Sequence, residues 1–226
     1  MPRVLLFDID NTLLYSGGAG GYAMSLAFHE MFGVEDGFGK IEFSGRTDRY
    51  IFATALANCG VDTGPEPHIE AFVGRYAELL PNALKERDGS LMPGFPELLA
   101  ALRDGGASLG LATGNFSRSA RIKLEYFGLD GYFSGGGFGE ESLERADVVA
   151  AAIERVADGA IREDILVIGD TPHDITSAVD NNLIAIGVAT GNYTADDLKA
   201  AGAHTVFPDF SDWQAAARTL LSKALV

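Results

Sequence analysis

Residues 3–8 form an apolar run that stops at two acids, Asp8 and Asp10, as expected of a short strand buried on both faces. The pattern then changes. Residues 16–21 are rich in glycine, and three stretches follow with apolar residues three and four positions apart, predicting helices over 22–32, 48–58 and 67–84. No strand pattern stands between Tyr15 and Ser90. From Leu91 onward helices and strands alternate. The predicted helices there are 95–103, 118–127, 147–156, 175–180, 195–200 and 213–223, and the strands between them are 107–112, a short one at 132–134, then 165–168, 184–188 and 204–207. Such alternation is that of an α/β protein with a parallel sheet. The helical block after the first strand is too long for an ordinary loop and reads as an insertion over 15–90. Its hinges are expected at 17–21 and 89–94, where glycine tolerates large backbone changes.

Composition adds limits. At 226 residues, 47% hydrophobic and 22% charged, the chain can bury a substantial core as one domain with an insertion. The formal net charge of −15 argues against surfaces for nucleic acid or anionic lipid. It would also repel an anionic ligand, so a site for one needs a metal ion or a few placed cations. Asp8 and Asp10 cut the opening apolar run short of a secretory signal, and no stretch is long enough to span a membrane, which leaves cytoplasm as the default location. Cys59, the lone cysteine, excludes an internal disulfide and reads as packing within the insertion; His29, His68, His173 and His204 lack zinc-ligand spacing.

In a parallel sheet, ligands bind beyond the carboxyl ends of the strands. Three predicted strand ends carry polar groups there: Asp8-Ile9-Asp10, Thr113-Gly114-Asn115, and Gly169-Asp170-Thr171-Pro172-His173-Asp174. If those strands are neighbours, the acids and a hydroxyl converge on one edge. Carboxylates two apart can face one pocket, and they repel unless a cation lies between them. Magnesium meets that need, because it prefers oxygen ligands and keeps room for water and phosphate. Thr113 and the N–H groups of Gly114 and Asn115 can bind a phosphoryl oxygen, or Asn115 and Ser117 can simply cap the next helix. Asp174 likewise reads either as a site residue or as a helix cap.

Taken together, Asp8-x-Asp10-x-Thr12 after an apolar strand, Thr113 ending another, and Gly169-Asp170 with Asp174 resemble the haloacid dehalogenase-like hydrolase superfamily. The resemblance covers nearly the whole chain. It implies a Rossmann-like parallel-sheet core (1–14 and 91–226) with an inserted all-helical cap (15–90). It also implies a magnesium-dependent phosphatase acting through an aspartyl-phosphate. Asp8 would be the nucleophile and Asp10 the general acid and base. Asp8, Asp10 through its backbone carbonyl, and Asp170 would hold Mg2+, with Asp174 a ligand through water or an orienting group. Thr113, Gly114 and Asn115 would bind the phosphoryl oxygens. The family's usual lysine is missing from its place before the last motif, where Arg145 stands; Lys123 is the competing cation. Arg46, in Ser44-Gly45-Arg46-Thr47-Asp48, falls in the family's specificity loop and could reach a carboxylate or second phosphate of the substrate.

The pattern is similar to phosphoglycolate phosphatases and their relatives, so a small phosphorylated metabolite is the expected partner, on a monomer or homodimer. Asp10 argues against dehalogenation. A non-catalytic phosphoryl-binding regulator, a phosphomutase and a phosphonatase stay open as alternatives. A phospho-acceptor signalling domain is disfavoured, because its acceptor Asp would end a later strand.

Overall fold

The computed structural model describes residues 3–61, 64–157 and 159–223. The chain begins with β1 (Val4–Phe7) and β2 (Leu14–Tyr15), continues through α1 (Ala19–Phe32), α2 (Asp48–Asn58) and α3 (Ile69–Glu86), and returns by β3 (Ser90–Leu91). Then come α4 (Glu97–Asp104), β4 (Ser108–Ala112), α5 (Ser117–Tyr126), β5 (Gly136–Gly137) and α6 (Arg145–Val156). The remainder is β6 (Ile165–Gly169), α7 (Pro172–Asp180), β7 (Ile184–Val188), α8 (Ala195–Ala200), β8 (Thr205–Phe207) and α9 (Trp213–Leu221).

Six of these strands make one parallel sheet in the order β5-β4-β1-β6-β7-β8. All four residues of β1 are buried, because the strand lies between β4 and β6 and is covered on both faces. Its side chains alternate accordingly. Leu5 and Phe7 join the cluster with Leu98, Leu102, Leu124 and Leu220 from α4, α5 and α9. Val4 and Leu6 pack with Val149, Ile175 and Leu198 from α6, α7 and α8. Each such large apolar side chain contributes about 1.5–3 kcal/mol on burial, which is why the first strand reads as a continuous apolar run. The chain moves outward from β1 to β4 and β5, then crosses to β6 on the other side. This reversal opens a crevice at the carboxyl end of β1.

Between β2 and β3 the chain is helical, with its own apolar cluster around Phe28, Phe52 and Phe72. The Phe52 and Phe72 rings stack with centroids 4.1 Å apart. Phe116, just before α5, also belongs to that cluster, so the helices rest on the sheet layer through it. Entry and exit of the helical segment are tied by an antiparallel ribbon pairing Leu14 with Leu91 and Tyr15 with Ser90. A two-residue strand has no periodicity to read, so no strand is expected there. Gly20 and Gly21, expected in a hinge, form part of α1.

One strand lies elsewhere than expected. Residues 130–132 make a single 3₁₀ turn, and the edge strand is Gly136–Gly137. A Cβ on Gly137 would lie 1.9 Å from the Val148 carbonyl oxygen, so this strand is squeezed between β4 and α6 and carries no side chains to reveal it. Among the described residues no helix is long and apolar enough to cross a membrane.

Candidate active site

The pairing of β1 with both β4 and β6 brings the three polar strand ends side by side. Phe7 is level with Leu111 and with Ile168, so Asp8, Thr113 and Asp170 leave the sheet within a residue or two of one register. Asp8 and Asp170 line a cavity of about 650 Å³, together with Asp10, Arg46, Gly114, Lys123 and Arg145. That volume suits a small-molecule ligand.

Asp8, Asp170 and Asp174 are all buried, and each offers an oxygen within 4.8 Å of the others. Arg145, the first residue of α6, reaches into this cluster. Its Nη2 donates to Asp8 Oδ1 and Asp174 Oδ1, both at 2.7 Å, and to the Ala112 carbonyl at 2.8 Å. A cation at a helix N-terminus opposes the helix dipole, so these carboxylates account for its placement. Burial works against the Arg145 charge, but Asp174 and Asp8 outweigh it and hold the guanidinium above its ordinary range.

One cation does not satisfy three acids. Burial pushes Asp8 up to about 6; Arg145 opposes the shift, and Asp174 and Asp10 add to it. Burial, reinforced by Asp174 and Asp8, pushes Asp170 up to about 9. Asp170 Oδ1 accepts a long hydrogen bond from Thr12 Oγ1, 3.4 Å, while its Oδ2 is buried without a hydrogen-bond partner. A Cβ on Gly191 would sit 1.9 Å from that same oxygen, so glycine there leaves room for the carboxylate. An orphaned buried oxygen beside a second carboxylate is what a hard divalent cation requires, and the donor set is all oxygen.

Asp174 is less available to a metal. Its Oδ2 accepts from the Thr171 backbone N–H and hydroxyl at 3.1 and 2.8 Å, and Arg145 holds its Oδ1. Thr171 in turn caps α7, so the capping and site readings of Asp174 are both realised in one residue.

The Asp10 carboxylate lies outside the acidic cluster. It is gripped by Lys123 Nζ at 2.8 Å and 2.6 Å, and it accepts from Asn115 Nδ2 at 2.8 Å. Arg145 and Lys123, the competing cations, thus both belong to the site, one on Asp8 and the other on Asp10.

The loop after β4 departs from expectation in one respect. The Asn115 N–H turns back to Thr113 Oγ1 at 3.3 Å, the Phe116 N–H is taken by Asp48 Oδ2 at 2.9 Å, and the Ser117 N–H by Glu140 at 2.8 Å. Carboxylates therefore cap this helix start. The expected anion-binding N–H groups narrow to Gly114, and the Asn115 side chain serves Asp10 and Thr113 instead. Asp48 had no signal in the sequence beyond its place at a helix start. It is buried, its N–H donates to the Gly114 carbonyl at 2.7 Å, and burial raises its carboxyl to about 7 against the opposing charge of Lys123.

Arg46 lines the cavity with its guanidinium 4.7 Å from the Tyr50 ring centroid, and its Nε is buried without a partner. His173 packs against Gly45 beside it; burial and Arg46 lower its pKa. Cys59 lies half-buried against the helical apolar cluster.

This arrangement of strand-end acids defines a hydrolase of a recognisable kind. Residues 2–181 match the family model for haloacid dehalogenase-like hydrolases, and the chain belongs to that family. It is 32% identical over 160 residues to the Probable phosphatase IndB of Dickeya dadantii, covering 69% of each chain. It is 27% identical over 227 residues to a phosphoglycolate phosphatase of Rhodospirillum rubrum, covering 94% of this chain and 91% of that one. In fold it is similar to a hydrolase from Pseudomonas syringae, with a TM-score of 0.73 at 22% identity over 97% of this chain and 100% of the other.

Proposed function

We propose that the protein is a magnesium-dependent phosphomonoesterase that works through an aspartyl-phosphate on Asp8 and acts on a small phosphorylated metabolite. The observation that carries this reading is the convergence on Asp8: Arg145 on one of its oxygens, Asp170 with an unpartnered oxygen nearby, and Thr113 at the neighbouring strand end. The named relatives support the phosphoester class, and one of them supports a phosphorylated small acid such as phosphoglycolate.

Asp8 would attack phosphorus in line, so that the Asp8–phosphorus bond forms as the ester oxygen leaves. The Asp10 carboxyl would give its proton to that oxygen, and the resulting carboxylate would then take a proton from the water that hydrolyses the intermediate. Arg145, Thr113 and the Gly114 N–H would meet the charge on the transferring group. Asp8, Asp170 and the Asp10 backbone carbonyl would hold Mg2+, with Asp174 fixing Arg145 and the loop. The ion would supply charge neutralisation and orientation for the phosphoryl oxygens. Asn115 would orient Asp10 rather than bind substrate.

Residues 15–90 would act as a cap over a core of 1–14 and 91–226, and Arg46 would face the leaving group from the cap side. The cavity volume suits a metabolite rather than a phosphoprotein.

Phosphate release from a panel of phosphorylated metabolites, including phosphoglycolate, sugar phosphates and nucleotides, with and without magnesium, tests the reading. Magnesium-dependent turnover that disappears in Asp8→Asn is the expected result. Binding of phosphate or beryllofluoride with no turnover across the panel would point to a regulator instead.

A further inference from the structure

Lys123 occupies the last turn of α5 and is 3% exposed, an unusual position for a lysine unless each of its donors is matched. They are matched: its ammonium donates to Asp10 Oδ1 at 2.8 Å, to Asp10 Oδ2 at 2.6 Å and to Asn115 Oδ1 at 2.6 Å. An ammonium has three hydrogens, and each has an acceptor here.

Two consequences follow from this geometry. A carboxylate held through both oxygens cannot rotate about its last bond, so Lys123 fixes the plane of Asp10. The Asp10 side chain is nonetheless 37% exposed and lines the cavity, so it is held from one side and open on the other. Lys123 also fixes Asn115. With Oδ1 occupied by the ammonium, the amide can present only Nδ2 to Asp10 Oδ2, at 2.8 Å, and to Thr113 Oγ1, at 2.9 Å. Thr113 Oγ1 accepts a second N–H, from Asn115 at 3.3 Å, so its own proton is free to point at a ligand.

We propose that Lys123 is the positioning residue for Asp10: directly and through Asn115, it holds the Asp10 carboxyl at the angle needed to protonate the leaving oxygen. The inference rests on the phosphomonoesterase reading above and goes beyond it. With its ammonium committed to Asp10 and Asn115, Lys123 acts through those two side chains. It also joins two parts of the chain, since a Cβ on Gly20 in α1 would meet its Nζ at 3.3 Å. The acid is therefore positioned by a side chain on which the helical insertion rests.

A lysine that only neutralised a buried acid would support folding, and its loss would harm every substrate alike. A positioning lysine leaves a different signature. Protonation of the leaving group matters for an alkyl phosphate and hardly at all for p-nitrophenyl phosphate, whose leaving group is stable as an anion. Because kcat/KM reports steps through the first irreversible one, it isolates the transfer to Asp8 from the later hydrolysis, in which Asp10 would serve as base for either ester.

Lys123→Met should lower kcat/KM for a simple alkyl phosphate by about 100-fold, the low end of what general acid catalysis contributes, and lower it for p-nitrophenyl phosphate by less than about threefold. Lys123→Gln, which keeps a donor, should recover part of the alkyl activity. Equal losses on both esters would overturn the proposal. Should the single variants fold poorly, Asp10→Asn/Lys123→Met leaves no unpaired charge. The proposal requires this double variant to match Asp10→Asn on both esters, and a further tenfold loss would refute it. A wild-type enzyme that hydrolyses neither ester would instead overturn the underlying reading.

Discussion

Replacing Arg145 with Met removes the cation around which the buried acids are arranged while keeping a side chain of similar length. The guanidinium contacts Asp8 and Asp174 at 2.7 Å each and is itself buried. Without it, Asp8 and Asp174 lose their shared donor inside a cluster whose third carboxylate, Asp170, lies within 4.8 Å of both. Breaking a buried ion pair by removing one partner costs about 3–5 kcal/mol, chiefly because the remaining charge is left uncompensated. In a chain of this size each kcal/mol shifts Tm by about 2–4 °C, so Arg145→Met should melt about 6–20 °C lower in EDTA. Proton uptake by Asp8, which burial already raises to about 6, draws the loss toward the lower end of that range. Magnesium at about 100 times its Kd should restore about 2.7 kcal/mol, because the cation takes over part of the missing charge. Activity should not return with it. Removing one preorganised donor costs about 10²–10³ in kcat, and the ion cannot occupy the place of the guanidinium. Thermal melts with EDTA and with magnesium, alongside turnover of the best substrate, make the test. Wild-type Tm in EDTA together with wild-type kcat would refute the reasoning.

Two further outcomes follow from the same geometry. Asp48 keeps its proton up to about 7 in the folded state and releases it near 4 when unfolded, so the stability this proton contributes is full below about 4 and lost as pH rises through about 7. Asp48→Asn is neutral throughout and keeps an acceptor for the Phe116 N–H, so its stability relative to wild type in urea unfolding should improve from pH 5 to pH 8; an unchanged difference would contradict this. Gly191→Ala would place a methyl 1.9 Å from Asp170 Oδ2 and displace that carboxylate, so magnesium affinity, read by thermal shift titration, should fall at least about tenfold; an unchanged affinity would remove Asp170 from the metal site.

How much of this could be read in advance depends on what each residue's neighbours are. Val4–Phe7 and Ile165–Gly169 are legible because strands covered on both faces must be apolar throughout, and the acids that end them stand out against that run. Gly136–Gly137 is not legible, since the close approach of α6 admits no side chain and hence no pattern. Arg145 was identified by its place between motifs, yet the helix begins at Arg145 itself, two residues earlier than its apolar spacing suggests. Lys123 is the more instructive case. The order of motifs offers it only as a rival to Arg145 from within the helix after Thr113, and it is the packing of α1 and α3 over α5 that buries it against Asp10. The same holds for the Asn115 side chain, which is committed by Lys123 from two turns along α5 and by Asp10 from the end of the neighbouring strand. Motif positions are therefore readable one by one, whereas the hydrogen bonds that orient them belong to the fold.

The central claim is that Asp8 carries the phosphoryl group, and trapping that intermediate tests it most directly. Wild-type enzyme mixed with magnesium and excess substrate, quenched in acid within the first turnovers and digested, should yield the peptide containing Asp8 with the mass of one added phosphoryl group. Asp8→Asn should yield none, and Asp10→Asn, slowed in the second step, should accumulate more on the faster-transferring aryl ester. Turnover at the wild-type rate with phosphate on another residue, or undiminished turnover in Asp8→Asn, would contradict the account.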